Sequence, residues 1–325
     1  MDKNSSIGKH MIEKAKKIAL FGHISPDGDC IGAMLGLGKL LEKQKKNVSY
    51  FVPNKPSKIF DFVKHIKRLK SRFDYKKYDL LIFVDFTGFN RMGIISQANP
   101  EYFKDKPILI FDHHPDNGVD HGVLIKDVKS ISTCEILFEQ THKRWPKLYD
   151  KDIATYFYLG ITSDSGNFMF EKDHIRTFTN VLNLLKLEAD KDLIVNNFFR
   201  KKSLNSVKFL QLLLGRIQEK DQLLYTYYDE NELEEYNIDT EEAAYALHII
   251  QNIDGPEIVL FIRKIGDIVK GSLRTKKIDC NRIANGLGGG GHKLAAGFSL
   301  PVKGKFEQQI KEIVKFIIEM AKTEH

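Results

Sequence analysis

Short apolar runs alternate with helix-like segments over the first two-thirds of the chain, and this alternation restricts the fold more than any other feature. Four runs have the length and the branched or aromatic side chains of buried strands. They lie at residues 18–21, 48–52, 80–84 and 107–111. Because uninterrupted apolar strands separated by helices are typical of parallel sheets, we predict an α/β domain whose parallel sheet has helices on both faces.

A different pattern follows residue 221 and predicts a second, smaller α/β domain. Its strand-like runs, separated by helical segments, lie at 223–228, 258–262 and 268–274. Before it, apolar side chains recur at helical spacing around residues 209–217, which predicts a connector helix. The predicted division is a sheet domain at 1–190, a helical connector at 191–220 and a C-terminal domain at 221–325.

Polar clusters follow four apolar runs of the first domain. The clusters are His23, Asp27 and Asp29; Asp85; Asp112, His113 and His114; and Asp164, whose preceding run at 156–159 we also interpret as a strand. Because the carboxyl ends of neighbouring parallel strands open into one crevice, we expect these side chains to lie together. Taken singly, each cluster is explained equally well as a loop, a turn or a helix cap.

Several carboxylates in one crevice repel each other unless cations neutralise them. Carboxylate oxygens and imidazole nitrogens without a thiolate suit Mn²⁺, Mg²⁺ or a similar divalent ion better than a structural zinc ion. The three cysteines, Cys30, Cys134 and Cys280, are far apart, which argues against both a thiolate site and a disulfide framework. We therefore predict a site for divalent metal ions.

Charge and hydropathy narrow the choice of partners. The net charge of +7 over 325 residues fits an anionic ligand without requiring one. A protein that tracks long nucleic acid usually has a stronger basic bias, so we predict no long duplex as partner. No stretch approaches the roughly 20 apolar residues of a membrane span, and the N-terminal residues lack the apolar core of a secretory signal. We expect a cytoplasmic protein with no membrane partner.

Five motifs together resemble the stand-alone RecJ-like DHH phosphoesterases, which have a DHH-associated C-terminal domain. The motifs are His23 to Asp29; Val84-Asp85 with Arg91 and Gly93 downstream; Asp112-His113-His114-Pro115; Gly160-Ile161-x-x-Asp164-x-Gly166-x-Phe168; and Gly288 to Phe298. The group includes oligoribonucleases that act on nanoRNA, adenosine-bisphosphate phosphatases, and phosphodiesterases of cyclic di-AMP and its linear product pApA. The resemblance covers nearly the whole chain and implies a phosphodiesterase that converts short nucleotides to 5′-mononucleotides.

The resemblance also implies roles for individual residues in the first domain. His23, Asp27 and Asp85 would hold one metal ion, and Asp29, Asp85, His113 and Asp164 a second, so that Asp85 bridges the pair. The family usually works with manganese. Asp85 and His114 would act in catalysis, with His114 facing the substrate or the leaving group. Asp112, which would orient His113, and Arg91 would lie behind the ligands.

The C-terminal motif would bind the substrate. Glycine lets backbone N–H groups approach a phosphate closely, and arginine offers a fork of donors that lysine cannot reproduce. The predicted substrate-binding residues are Ser272, Arg274, Gly289, Gly290, Gly291 and His292. The chain departs from the residues that are usual in the family at five positions, Cys30, Ala33, Phe86, Thr87 and Ser165. None of these departures removes a proposed metal ligand. They affect the expected substrate preference more than the expected activity.

Several alternatives stay open at the level of sequence. A manganese inorganic pyrophosphatase shares the first domain, and a non-catalytic nucleotide-binding regulator could share both. His114 could donate a proton or only a hydrogen bond to phosphate. Exposed apolar residues of the connector helix could form a homodimer, but packing within one chain explains them equally well.

Overall fold

The computed structural model describes residues 3–115, 118–119, 121–170 and 173–322, except for the side chains of Glu241 and His292. The chain divides into two compact units, Met1–Lys201 and Lys202–His325. Among the described residues, no helix is both long enough and apolar enough to cross a lipid bilayer.

The first unit alternates strands and helices along most of its length. In chain order its elements are α1 Lys3–Lys14, β1 Lys17–Phe21, α2 Gly28–Lys43, β2 Asn47–Phe51, β3 Leu69–Lys70, β4 Leu80–Val84, α3 Ile94–Ala98, α4 Glu101–Lys104, β5 Ile108–Asp112, β6 Val123–Lys126, α5 Thr133–His142, α6 Lys151–Asp164, α7 His174–Lys186 and α8 Lys191–Ile194. Short 3₁₀ helices lie between them at Lys58–Phe60, Ile66–Arg68, Phe89–Met92 and Pro146–Leu148.

The six strands form one parallel sheet in the order β3-β2-β1-β4-β5-β6. Alternate side chains of β1 enter different cores: Ile18 and Leu20 pack with the residues of α2, α5 and α6, whereas Ala19 and Phe21 pack with Ile95 and other residues on the opposite face. This alternation follows from the two-residue repeat of a strand. The predicted α/β domain with helices on both faces of a parallel sheet is confirmed.

The run at 156–159 is not a strand, as we predicted, but part of the helix α6. Every residue from Ile153 to Thr162 is buried in this helix, so its sequence shows no polar face. A fully buried helix and a buried strand both appear as continuous apolar runs, and periodicity cannot separate them. Asp164 is therefore the last residue of a helix and does not follow a strand.

The segment predicted as a helical connector contains several elements. After α8, residues Val195–Arg200 form a single π-helical turn, and residues 201–203 are not helical. The chain then enters α9, Leu204–Gly215, and Gln218–Lys220 form a strand, β7.

The second unit has a mixed sheet in the order β11-β12-β10-β9-β8-β7, in which β8 and β9 are parallel and the other pairs antiparallel. Its remaining elements are β8 Leu223–Asp229, α10 Glu230–Glu235, α11 Thr240–Ile250, β9 Ile258–Ile265, β10 Ile268–Thr275, α12 Cys280–Gly286, β11 Gly290–His292, β12 Ala295–Pro301 and α13 Phe306–Lys322. One face packs against α12 and α13, and the other packs against α9 and α11.

Candidate metal centre and phosphate-binding residues

The strand order places the carboxyl ends of β1, β4 and β5 side by side, with the topological switch point between β1 and β4. His23 lies two residues after β1, Asp85 directly follows β4, and His113 directly follows β5. Their side chains are in contact: His23 Nε2 lies 3.1 Å from Asp85 Oδ2, and His113 Nε2 lies 3.6 Å from Asp85 Oδ1. Asp164, at the end of α6, reaches the same place, with Oδ2 3.2 Å from His113 Nε2.

Three sets of side chains each bring one ligand atom per residue within 4.8 Å of one another. They are His23, Asp27 and Asp85; Asp29, His113 and Asp164; and Asp85, His113 and His114. The structure thus brings together all six residues that we predicted as metal ligands. Asp85 and His113 each belong to two of the sets. Which residue holds which ion stays a prediction.

The backbone of Asp85 adopts a left-handed conformation, with φ of 55°. A non-glycine residue in this region costs roughly 1–2 kcal/mol, although aspartate and asparagine tolerate it better than most residues. The Asp85 N–H donates to Phe111 O at 2.9 Å, which fixes this turn against β5. Backbone strain of this kind concentrates at functional sites, and here it lies at the centre of the polar cluster.

Asp27 and Asp29 are held by the first turns of two helices. Asp27 caps α2: its Oδ1 accepts hydrogen bonds from the N–H groups of Asp29 and Cys30, and its Oδ2 lies 3.8 Å from His23 Nε2. The buried carboxylate of Asp29 accepts from Thr133 N at 2.7 Å and Cys134 N at 2.8 Å, at the start of α5. Helix N-termini favour negative charge, so both carboxylates are fixed before any cation binds.

The donor set of the cluster fits divalent metal ions. Asp85 Oδ1 and both ring nitrogens of His113 are buried, and among the described residues they have no hydrogen-bond partner. Buried polar atoms are normally satisfied, so such atoms are typical of a site for an ion or a ligand. Carboxylate oxygens together with imidazole nitrogens are ligands that Mn²⁺ and similar ions accept. A divalent metal would satisfy these atoms and neutralise the carboxylates.

The cluster carries strongly perturbed pKa values. Burial, and then the charges of Asp164 and Asp85, raise the pKa of Asp29 well above its ordinary value. Burial, and then Asp27 and Asp85, do the same to the pKa of Asp164. Burial acts to raise the pKa of Asp85 as well, but the hydrogen bond and charge of His23 outweigh it, and the pKa of Asp85 falls. Without a cation, ionisation of Asp29 and Asp164 is therefore disfavoured relative to an exposed aspartate.

Asp112 forms a hydrogen bond with the ring of His114, and not with the ring of His113 as the resemblance implies. Asp112 Oδ1 lies 2.8 Å from His114 Nδ1, whereas neither ring nitrogen of His113 accepts or donates a hydrogen bond to any described residue. Side chains alternate along an extended chain, so residues 112 and 114 lie on one side and 113 on the other. Asp112 therefore orients His114.

Arg91 lies behind His23. Its Nη2 is 3.0 Å from His23 Nδ1, and the carbonyl oxygen of Ile24 lies 2.8 Å from the same nitrogen. Coordination of a metal through His23 Nε2 requires the ring proton on Nδ1, where Ile24 O can accept it. The backbone N–H of Ile24 donates to Arg91 O at 2.7 Å, which ties the two loops together.

A buried carboxylate, that of Glu135, holds the loop before α5. Glu135 Oε2 accepts from Ser130 Oγ at 2.7 Å and from Ile131 N at 3.1 Å, and Arg176 lies 3.6 Å away. Ser132 Oγ accepts from Glu135 N at 3.1 Å at the start of the helix. The residues Ser132 to Glu135 have the pattern of a capping box, but no local pattern indicates the hydrogen bond from Ser130. This loop leads into Thr133 and Cys134, and so it positions the two N–H groups that donate to Asp29.

Glu135→Ala is expected to lower the free energy of unfolding by about 3 kcal/mol. The change removes a buried hydrogen-bond acceptor, and the positive charge of Arg176 is then less fully neutralised. Urea unfolding of the metal-free protein measures this loss. Glu135→Gln, which keeps one acceptor, should cost less, and the exposed Glu13→Ala should change stability by at most about 0.5 kcal/mol. Equal stability of Glu135→Ala and the unmodified protein would show that the network does not hold the loop.

In the second unit, Ser272 and Arg274 lie on the same face of β10, opposite the core residue Leu273. Arg263 on β9 donates to Ser272 Oγ at 3.3 Å. The glycine loop approaches β12 closely: a Cβ atom on Gly289 would lie 2.1 Å from Gly297 O, so only glycine fits there. Gly290 and Gly291 begin β11, whose backbone pairs with β12. The side chain of His292 lies outside the described residues.

Two further basic side chains, those of His248 and Lys202, belong to no motif that the sequence reveals. Burial, followed by the charges of Arg274 and Lys202, lowers the pKa of His248 on α11. Burial also lowers the pKa of Lys202, whose ammonium group lies 4.7 Å from the Tyr245 ring centroid. The pKa of Arg274 itself is lowered, mainly by burial, and Arg263 adds to the effect. Mutual repulsion of this kind is relieved by a bound anion.

Comparison with known proteins identifies the domains of the chain. Residues 17–161 match the N-terminal domain of the DHH family, and residues 220–323 match the DHHA1 domain. The chain therefore contains a DHH domain followed by a DHHA1 domain. The predicted enzyme class, a metal-dependent hydrolase, is confirmed by these two domains and by the names of the relatives given below.

Similar proteins span both units. The chain is 27% identical to the bifunctional oligoribonuclease and PAP phosphatase NrnA of Mycoplasma genitalium, over 94% of this chain and 96% of the relative. It is 24% identical to the cyclic-di-AMP phosphodiesterase GdpP of Geobacillus thermodenitrificans, over 94% of this chain and 48% of that protein. The crystal structure of an exopolyphosphatase-related protein from Bacteroides fragilis superposes with a TM-score of 0.87 at 23% identity, covering 98% of each chain, and shows the same fold.

Proposed function

We propose that this protein is a two-metal phosphodiesterase that hydrolyses short nucleotides to 5′-mononucleotides. The observation that carries the proposal is the cluster of four aspartates and two histidines, in which the carboxylate of Asp85 lies 3.1 Å from His23 and 3.6 Å from His113. The substrates that we propose are pApA, cyclic di-AMP, nanoRNA and adenosine bisphosphate. Support comes from relatives named as an oligoribonuclease and PAP phosphatase and as a cyclic-di-AMP phosphodiesterase.

The chemistry at the cluster follows from its ligands. His23, Asp27 and Asp85 would hold one divalent ion, and Asp29, Asp85, His113 and Asp164 the other; we propose Mn²⁺ for both. When bound, the ions supply Lewis acidity and neutralise the charge that develops on a phosphoryl group. The hydrogen bonds from the start of α5 keep Asp29 in place while this charge changes. Such preorganisation avoids reorganising the site during the reaction.

His114 is the group that we propose to donate a proton to the leaving oxygen. Burial alone would lower the pKa of His114, but the hydrogen bond to Asp112 and the charge of Asp85 raise it above the ordinary value. The ring is partly exposed, unlike that of His113, so a substrate can reach it. A protonated imidazole in this position can serve as a general acid.

The second unit would bind a phosphate of the substrate through Ser272, Arg274, the backbone of Gly289, Gly290 and Gly291, and His292. Arginine at such a site offers two parallel donors to phosphate oxygens. The neighbouring cations Arg263 and Lys202 would add to the positive potential there.

Arg274→Ala is expected to raise KM for pApA roughly 10- to 100-fold, because it removes a charge-assisted phosphate contact. We expect kcat to fall only a few-fold, since Arg274 lies in the second unit and the metal cluster in the first. Arg274→Lys keeps the charge without the fork and should recover only part of the affinity. Steady-state kinetics with Mn²⁺ tests this; an unchanged KM for Arg274→Ala would remove Arg274 from substrate binding.

Turnover of pApA, cyclic di-AMP, adenosine bisphosphate and pyrophosphate with added Mn²⁺ tests the proposed function. Release of AMP from pApA or cyclic di-AMP would support it and rank the substrates. Hydrolysis of pyrophosphate alone would favour the manganese pyrophosphatase. Nucleotide binding that persists after metal removal, with no turnover when metal is restored, would favour a regulator without catalytic activity.

A further inference from the structure

The chain makes an unusual turn directly after the proposed metal ligand Asp164. Three successive residues, Gly166, Asn167 and Phe168, have left-handed backbone conformations with φ of 56°, 58° and 68°. Two of these are not glycine, and phenylalanine has a bulky side chain that rarely adopts this conformation. Strain in consecutive residues persists only where surrounding contacts enforce it, and it commonly accompanies function.

Hydrogen bonds to the buried Ser165 enforce the turn. Ser165 Oγ accepts from Phe168 N at 2.9 Å, and Ser165 O accepts from Met169 N at 2.8 Å and Phe170 N at 2.9 Å. Asn167 N donates to Thr162 O at 2.8 Å, back in α6. The segment from Ser165 to Phe170 is therefore fixed relative to Asp164 on one side of the metal cluster.

The side chains of this turn point in different directions. Phe168 packs on the core and lies 5.3 Å from the ring centroid of Phe178 on α7. Met169 and Phe170 are instead 62% and 48% exposed. The Phe170 ring lies over Gly166, where a Cβ atom would come within 2.4 Å of Cε2 of the ring. An exposed aromatic ring is thus held against the backbone two residues from Asp164.

We propose that Phe170, with Met169 beside it, is a platform on which one nucleobase of the substrate stacks while the adjoining phosphate lies at the metal cluster. This inference rests on the proposed function and names the part of the substrate that the first unit recognises besides phosphate. Base stacking on an aromatic ring does not depend on which base is present, because every base has a π-face. The thioether of Met169 is also a favourable neighbour for an aromatic ring. The platform would therefore distinguish nucleotides from phosphate compounds without a base, and would not distinguish adenine from guanine.

Substrates with and without a base test the platform. The set is pApA and its two analogues in which either adenine is replaced by hydrogen, assayed with Mn²⁺ and the full-length protein. Phe170→Ala is expected to lower kcat/KM for pApA roughly 5- to 100-fold, the range found when one stacking ring is removed. For the analogue that lacks the stacked base, Phe170→Ala and the unmodified protein should be equal. Phe170→Trp should retain activity on pApA, and Ile175→Ala, at an 82% exposed residue of α7, should have no effect.

A binding measurement separates the platform from the proposed catalysis. A dinucleotide with 2-aminopurine in place of adenine should lose fluorescence when it stacks on Phe170, whether or not it is hydrolysed. Loss of this quenching in Phe170→Ala, with Mn²⁺ binding unchanged by calorimetry, would support the platform even if turnover failed. Equal losses of activity on pApA and on both analogues, or quenching that survives in Phe170→Ala, would overturn it.

Discussion

Asp85→Asn is expected to lower kcat/KM for nucleotide substrates by roughly a thousandfold or more, which corresponds to about 4 kcal/mol of transition-state stabilisation. Asp85 contributes ligand atoms to two of the three sets of side chains that could hold a metal ion. An amide at this position keeps the size of the side chain but loses its charge and one acceptor. Both ions would therefore bind more weakly, and the charge between them would no longer be balanced.

The asparagine variant isolates this effect from the fold. Asparagine tolerates the left-handed conformation that residue 85 requires, so circular dichroism and urea unfolding should show an intact structure. Calorimetric titration with Mn²⁺ should show at least one weakened site. Asp61→Asn, at an exposed position of the same unit, is the matched control and should behave like the unmodified protein. Activity of Asp85→Asn within tenfold of the unmodified protein would contradict a bridging role.

Addition of Mn²⁺ to the metal-free protein is expected to raise the free energy of unfolding by about 2.7 kcal/mol for each bound ion, when the free ion is at one hundred times its dissociation constant. Each ion binds the folded cluster and neutralises carboxylates that otherwise repel each other. We expect the stabilisation at a fixed Mn²⁺ concentration to increase from pH 5 to pH 8. Metal removal with a chelator should abolish turnover, and Mn²⁺ should restore it.

The direction of this pH dependence follows from the pKa values of the ligands. The pKa values of Asp29 and Asp164 are raised in the folded protein, so their contribution to the stability of the metal-free protein is complete below the ordinary value of 3.8 and is lost as pH rises through the raised values. The pKa of His23 is also raised, and a metal must displace its proton. The metal-free protein therefore loses stability over the pH range in which the metal binds better.

Unfolding in urea at pH 5, 6, 7 and 8, with and without Mn²⁺, measures this dependence. In Asp164→Asn, the metal-free protein should lose less stability as pH rises, because one of the two carboxyls with a raised pKa is absent. The same variant should bind Mn²⁺ more weakly. Stabilisation by Mn²⁺ that is equal at all four pH values would mean that these carboxyls do not compete with the metal for protons.

Part of the candidate site was predictable because strand ends in a parallel sheet converge. The positions of His23, Asp85 and His113 follow from recognising the strands β1, β4 and β5, whose apolar runs are distinct in the sequence. Asp164 reaches the same cluster from the end of a helix and not from the end of a strand. Its motif, and not its secondary structure, indicated that it would lie there.

Other features depend on contacts between residues far apart in the chain. Asp29 is held by N–H groups about one hundred residues away, and Glu135 supports that loop through Ser130 and Ile131. The basic side chains around Arg274 and His248 come from different segments of the second unit. No local pattern marks such contacts, because each residue has an ordinary sequence neighbourhood.

The amino-acid sequence by itself determined the α/β class, the parallel sheet of the first unit and the set of acidic and histidine residues that meet at its edge. It did so because apolar periodicity reports backbone geometry, and strand ends in such a sheet share one edge. Only the tertiary structure decided that Asp112 orients His114, that Asp85 is strained, and that Phe170 is exposed beside Asp164. These three features depend on side-chain directions and on backbone angles. Tertiary packing determines both, and a local sequence pattern does not.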